Sequence, residues 1–439
     1  MRTVSFVERL EFDFPGNLFN QALGVGDVDN DKCNEIVAGN MNGELMVFKG
    51  RDSKPWRKAS DLGMITCIGV GDICNKGKNM LVSLSAEGWC HIFCVKGDGE
   101  EGNGDMDRCM QPSHIQHLPA NSRVMIIADV DNDGKSELVI GYSDRVVRSF
   151  RWSTTADPDS FPLGKFIPVE KWQLAAQIGS ITTNTLADGT VDVMVAQPGG
   201  TFVSLVGSKD IHTGAGHKDK PQWGPNTSTE DLEEDKIQGP TLVYHPLGAA
   251  RARNPSVTTE IIGNISKSKK HVSEEERACY YAVCTLDGTL SLVEDDKIQW
   301  SFLVDHQLFG LTKLDVTGDG TEEVVVCSWD GQTYIVNHSK EVARFQFEDN
   351  IAAFCAGHYA LSDEKNVPCL IYVTFSQQIL VYYNMQMPHV ELANLIDTMD
   401  QREGIPELLQ CLSVDPSNKQ QLRQLYHWAL YGGGHQSKS

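Results

Sequence analysis

The sequence predicts an all-β fold, a seven-bladed β-propeller followed by a short C-terminal α-helical extension. Three observations carry this. A strand–turn–strand unit recurs seven times along the 439 residues. Successive turns are 43 to 57 residues apart, with one interval of 88, and a four-stranded blade takes roughly 40–50 residues. The N-terminus alternates like a strand (Val4, Phe6, then Leu10, Phe12 and Phe14) and is placed to close a ring.

The seven units are EIVAGNM-NG-ELMVF, MLVSLSA-EG-WCHIF, ELVIGYS-DR-VVRSF, DVMVAQP-GG-TFVSL, YYAVCTL-DG-TLSLV, EVVVCSW-DG-QTYIV and CLIYVTF-SQ-QILVY. Their flanks are rich in Val, Ile, Leu, Tyr and Phe, which suit a pleated, buried surface. The turns fall at Asn42-Gly43, Glu87-Gly88, Asp144-Arg145, Gly199-Gly200, Asp287-Gly288, Asp330-Gly331 and Ser376-Gln377. Glycine supplies the positive φ that tight hairpins need. The third and seventh turns lack it, which leaves their type open. A sandwich does not repeat so regularly, and β-solenoid coils are much shorter.

The run Thr3–Phe14 is expected to complete the last blade by pairing near Ile379–Tyr383, which removes exposed sheet edges. The propeller then spans residues 1–386. Residues 96–118 and 207–276 read as flexible, polar insertions. The basic SKSKKH stretch in the second reads as a solvated loop, because acidic residues follow at once. Residues 387–432 change to helical spacing: Leu392, Leu395, Ile396 and Met399, then Leu422, Leu425, Tyr426, Ala429 and Leu430. Pro406 suits a first helical turn and Gly432 a C-cap. These amphipathic helices can pack on the propeller or dock on a partner, and residues 433–439 read as a disordered tail.

The net charge is −21, from 38 basic and 59 acidic residues. An acidic surface repels nucleic acid and anionic membrane. No signal-peptide pattern opens the chain and no apolar run is long enough to span a bilayer. Twelve cysteines, without a CxxC pair, read as reduced, mostly buried thiols of a cytoplasmic protein, Cys90, Cys284 and Cys327 among them. The absence of GxSxG, HExxH or a Walker loop, and the scatter of His91, His306, His338 and His358, argue against an enzyme.

Part of the acid is ordered. Three nonapeptides precede hairpins: Asp27, Asp29, Asp31, Cys33 and Glu35 at alternate positions of the first; Asp129, Asp131, Asp133, Lys135 and Glu137 of the second; Asp315, Thr317, Asp319, Thr321 and Glu323 of the third. Side chains at positions 1, 3 and 5, a carbonyl at 7 and an acid at 9 offer the oxygen shell that Ca²⁺ takes. Strand flanks and an apolar or small twelfth position (Ala38, Ile140, Val326) exclude an EF-hand. The second loop fits best. The first has Lys32 where the others have glycine, and the third has Thr317 in place of a carboxylate. Asx-turns need no metal, so both readings stand. The loop Asp72–Met80 has lost most ligands and is expected to bind nothing.

With their flanks (GDVDNDKCNEIVAG, ADVDNDGKSELVIG, LDVTGDGTEEVVV), these loops resemble the FG-GAP repeats of integrin α-subunit propellers. The longer strings GVGDICNKGKNMLVSLSAEGW, GYSDRVVRSFRW, CTLDGTLSLVE, VDHQLFGLTKLDVTGDG and SWDGQTYIV resemble the integrin-α FG-GAP repeat-containing family found in the KICSTOR complex. That resemblance implies a non-catalytic scaffold beside kaptin and a large scaffold subunit. Such an assembly brings the GATOR GTPase-activating complex to lysosomes and restrains TOR kinase signalling when amino acids or glucose are scarce. It also implies a cytoplasmic chain, peripheral on the lysosomal membrane through partners. The alternative is a calcium-dependent adhesion or ligand-binding propeller of integrin type; a channel-based hydrolase is a third reading.

Overall fold

The computed structural model describes residues 2–4, 8–97, 109–154, 164–186, 189–206, 241–245, 256–267, 280–294, 297–362 and 365–385, with single residues between 408 and 428. The chain divides into Met1–Met387 and Pro388–Ser439. In the first unit the strands form seven sheets, each built on four consecutive antiparallel positions. Blade one comprises Leu23–Gly26, Glu35–Gly39, Leu45–Phe48 and Arg57–Ala59, first strand to fourth. The later first strands are Ile65–Gly71, Ser122–Ala128, Ile181–Thr185, Thr259–Ile265, Leu308–Leu314 and Ile351–Ala360. The fold is the β-propeller that the repeats predict.

The core is split into layers. Seven apolar clusters form, and each joins residues of two neighbouring blades. This explains why second strands such as Glu35–Gly39 and Glu323–Ser328 are buried at every residue. Each face meets a neighbouring blade, so the runs are continuously apolar instead of alternating.

Closure is close to the expectation. Glu8–Asp13 is the outer strand of blade seven, antiparallel to Gln378–Tyr383, with Leu10 opposite Val381. Phe12 and Phe14 are fully buried in the layer between blades seven and one, and the Phe12 ring lies 5.0 Å from that of Phe48. The N-terminal run is not one strand, however. Arg2–Thr3 pairs in parallel with Ala343 and Arg344 of blade six, because Val4 is buried in the layer between blades six and seven.

Two further boundaries are corrected. His114–His117 is the fourth strand of blade two, and Thr241–His245 and Thr259–Ile265 are strands of blades four and five, so the insertions are shorter than 96–118 and 207–276. The fourth strands His114–His117 and Thr241–His245 lie at the rim with about half their residues exposed, so they read as polar loop in the sequence. The rest of both stretches, SKSKKH beyond Lys267 included, lies outside the described residues. In the second unit, residues 408, 409, 411, 420–422, 424, 425 and 428 are helical, with Leu409 and Leu422 buried. Leu392, Leu395, Ile396, Met399, Pro406, Tyr426, Ala429, Leu430, Gly432 and the 433–439 tail lie outside the described residues.

Six of the seven hairpin turns share one geometry; in the fourth, Gly199 and Gly200 are both at positive φ and Gly200 donates its N–H to Thr259 Oγ1 instead. Gly43 donates its N–H to Asn40 O and is itself at φ +87°, while Asn42 is not at positive φ. This is a type I turn with a left-handed third residue. Arg145 and Gln377 take the same place at φ 68° and 65°, so the glycine-free turns keep the geometry at a strain of about 1 kcal/mol each. In Gly88, Gly288 and Gly331 an added Cβ would also collide with the carbonyls of Leu118, Val304 and Phe347.

Glycine has a second use where first strands crowd the axis. A Cβ at Gly179 would collide with Thr259 O, whereas one at Gly24 would meet nothing within 4 Å. Gly179→Ala is therefore expected to lower stability by about 2 kcal/mol and Gly24→Ala by much less. Denaturant unfolding of the two variants checks this; equal effects would mean that axial crowding is not limiting.

Candidate functional site: the acidic loops and their internal cations

The loops predicted as metal sites join first to second strands in blades one, three and six. Their backbone is built by their own carboxylates. At position one, Asp27 accepts the N–H groups of Asp31 and Lys32 at 3.1 and 3.0 Å. Asp129 does the same for Asp133 and Gly134, and Asp315 for Asp319 and Gly320. At position five, Asp31, Asp133 and Asp319 accept from Cys33, Lys135 and Thr321. At position nine, the buried Glu35, Glu137 and Glu323 accept from Val28, Val130 and Val316 at 3.0, 3.0 and 2.9 Å. The degenerate loop keeps the first device: Asp72 accepts from Lys76 and Gly77 at 2.9 and 2.6 Å. Asx geometry thus survives where the other acids are gone. Lys32 pays the conformational cost of lacking glycine, at φ 73° where Gly134 and Gly320 are both at 82°.

The loops differ in what neutralises them. Lys49 Nζ lies 2.6 Å from Asp29, 2.6 Å from Asp31 and 3.3 Å from Glu35. Arg151 lies 2.8 Å from Asp131 and 3.2 Å from Asp133, and its Nε donates to Glu137 at 2.7 Å. Sequence reasoning missed both cations, yet the signal is simple. Ile36 pairs with Phe48 and Leu138 with Phe150, so the residue after that phenylalanine, Lys49 or Arg151, stands across from position nine. Both cations follow that glutamate by fourteen residues. The surrounding carboxylates hold Lys49 protonated, raising its pKa above the ordinary lysine range against the effect of burial.

Among the described residues blade six has no such partner for Glu323. Val324 pairs with Val336, which puts Asn337 at that place, and Asn337 bonds Glu341 instead. Burial, with Asp315 and Asp319 nearby, pushes the Glu323 carboxyl up to about 7.

These facts bear on calcium. Carboxylate oxygens of Asp27, Asp29 and Glu35, and of Asp129, Asp131 and Glu137, lie within 4.8 Å of one another, close enough for one cation. An ammonium or guanidinium already contacts most of those carboxylates, and a divalent ion would meet its charge at contact range. The residues of blades one and three therefore do not fit Ca²⁺.

A second device, also missed, passes from blade to blade on this side. Asn30 and Asn79 exchange two hydrogen bonds, 2.7 and 3.1 Å, and Asn75 and Ser136 two more, 2.7 and 3.1 Å. Asn132 accepts from Val191, and Asn366 of blade seven accepts from Asn34 of blade one. Position four of one loop thus reaches the next blade, and the shared asparagine in GDVDN, GDICN and ADVDN was the legible trace.

No catalytic arrangement emerges among the described residues. Ser204 Oγ donates to Asp192 at 2.7 Å and lies 3.2 Å from His245 Nε2. Here serine bridges acid and histidine, whereas in a triad histidine bridges the other two. His306 pairs with Asp330 at 2.8 Å, and His338 packs edge-on against Tyr280. Buried thiols such as Cys90 and Cys327 are pushed up to about 12 by desolvation and are poor nucleophiles.

The comparisons with known proteins sort these readings. The family model described as integrin-alpha FG-GAP repeat-containing protein 2 matches residues 49–387. The chain belongs to that family. A mouse relative named KICSTOR complex protein ITFG2 is 43% identical over 98% of this chain and 96% of its own length. A bovine relative of the same name is 42% identical over 91% and 74%. Among solved structures, BBS1N in complex with ARL6DN matches with a TM-score of 0.58 at 14% identity, covering 90% of this chain and all of that one. That likeness shows the fold alone. Membership in a family of KICSTOR complex proteins implies protein partners, and among the described residues no helix is long and apolar enough to cross a membrane.

Lys49→Met is expected to lower stability by about 3 kcal/mol in EDTA, because three carboxylates lose their cation, and to gain a Ca²⁺-dependent rise in melting temperature. Thermal melts in EDTA and in millimolar Ca²⁺ check this. A parent chain whose own Ca²⁺ response disappears on Asp131→Ala would instead put the ion in blade three.

Proposed function

We propose that this chain is a non-catalytic scaffold subunit of a KICSTOR-like complex. In this reading it works beside kaptin and the large scaffold subunit, and helps bring the GATOR complex to the lysosome surface. Its output is restraint of TOR kinase signalling when amino acids or glucose are scarce. The observation that carries the reading is the 43% identity to the mouse KICSTOR complex protein along nearly the full length of both chains. The internally neutralised loops of blades one and three favour it over calcium-dependent adhesion of integrin type. Among the described residues, the loop of blade six, whose Lys313 pairs with Glu322 and not with Asp315, Asp319 or Glu323, is the place left for a structural Ca²⁺, held by Asp315, Thr317, Asp319, Glu323 and the carbonyl of Thr321. Peripheral association with the lysosome then comes through partners.

Affinity purification of the tagged full chain from cells tests this. Kaptin and GATOR subunits are expected in the eluate and are expected to be lost when residues 1–386 are deleted. Recovery of neither would overturn the reading.

A further inference from the structure

The hairpin turns and the connections between blades leave from the same ends of the strands, because strands alternate in direction within a blade. They are also bonded to each other. Leu62 donates its N–H to Gly43 O at 3.1 Å, Val304 to Gly288 O at 2.9 Å, Phe347 to Gly331 O at 3.0 Å and Phe14 to Gln377 O at 3.2 Å. Together they make one face of the ring, opposite the acidic loops.

That face is chemically lopsided. The residue before the turn dipeptide is Leu286, Trp329, Phe375 and Met41 in blades five, six, seven and one, but Ala86, Ser143 and Pro198 in blades two, three and four. Large apolar side chains there stand in solvent: Phe375 is 56% exposed, Trp329 39% and Met41 36%, with Phe19 and Met64 beside them at 38% and 39%. The Trp329 ring is stacked on Phe309 at 3.9 Å, so it presents its other face already fixed. Rigid aromatic anchors of this kind dominate interface energetics.

Charge says what covers them. The turns and connections of blades five, six, seven, one and two hold eight carboxylates (Glu44, Asp61, Glu87, Asp287, Asp305, Asp330, Glu348 and Asp349) and no lysine or arginine. Glu44 is paired with Lys58 from a neighbouring strand and Asp330 with His306; the remainder is negative surface around apolar anchors. The arginines of this face, Arg123 and Arg145, stand across the ring beside a cavity of about 530 Å³. A second copy would bring the same acidic face. Residues 388–439 hold six acids and four Lys or Arg, so this chain's own tail is also a poor match by charge.

We propose that the turn face of blades five to one is a docking surface for a basic, apolar segment of another polypeptide, with Trp329, Phe375 and Met41 as anchors and the surrounding carboxylates setting its charge preference. Opposite charge steers and selects such a partner while the apolar anchors hold it. The inference deepens the scaffold reading by naming a surface for it, but it stands on this face alone.

The test places a photo-crosslinking benzoyl-phenylalanine at Phe375 or Met41 of the full chain in cells, with Tyr244 on the outer strand of blade four as control. Crosslinked peptides are sequenced by mass spectrometry. Expected is a peptide from another protein carrying Lys or Arg among apolar residues. Its yield should fall at least fivefold in Asp305→Lys/Glu348→Lys, two exposed carboxylates of that face, whose melting temperature should match the parent. Yields no higher than at Tyr244, or crosslinks to an acidic segment, a second copy or residues 388–439, would overturn the proposal. If kaptin and GATOR subunits still co-purify while the crosslinks fail, the face is wrong and the complex stands. A basic segment from a protein outside that complex would support the face and count against the complex.

Discussion

One antiparallel pairing, Glu8–Asp13 against Gln378–Tyr383, joins the first described segments of the propeller to its last strand. No blade has a core of its own. Each contributes one wall to two apolar layers, and a gap anywhere would leave two walls wet. The closing strand supplies the missing rim of blade seven and delivers Phe12 and Phe14 into the layer with blade one. Full burial of one such side chain contributes about 1.5–3 kcal/mol. Arg2–Thr3 then runs on to blade six, so the N-terminal segment spans two blades and stitches the ring at its seam.

The same logic of neighbour dependence governs the acidic loops. Their aspartates and glutamates fold the loop backbone, and Asn30, Asn75 and Asn132 at position four bond the next blade. Concentrating carboxylates in this way requires a compensating charge. Blades one and three supply it from within the blade, through Lys49 and Arg151 across the sheet from Glu35 and Glu137. A tethered cation does not diffuse away, so these loops carry their own charge balance. Blade six kept the acids and has Asn337 in the cation's place, which leaves Glu323 buried without that partner. One repeat thus yields different electrostatic solutions depending on a single residue fourteen positions downstream.

The two ends of the ring are correspondingly different. The loop side turns its acids inward, against its own backbone and cations. The turn side carries acids with few internal cations, interleaved with exposed aromatic and Met side chains. A protein that belongs to a family of KICSTOR complex proteins needs surfaces for partners, and the turn side is where hydrophobic area and uncompensated charge coincide.

The sequence alone determined the blade count, the turn positions, the N-terminal closing strand and the acidic loops, because each is written in residues close together in the chain. Glycine at a left-handed turn position and a run of Val, Ile and Leu carry their meaning locally. What the tertiary structure decided were relations across the sheet or across the ring. Fourth strands such as His114–His117 and Thr241–His245 were hidden because rim strands bury little and look polar. Lys49 and Arg151 were hidden because their role depends on strand register, which brings them beside an acid fourteen residues away. The exposed row of Trp329, Phe375 and Met41 was hidden because closing the ring makes neighbours of its first and last blades. A local pattern fixes what each segment becomes, and only the packed ring fixes which charges and apolar groups meet.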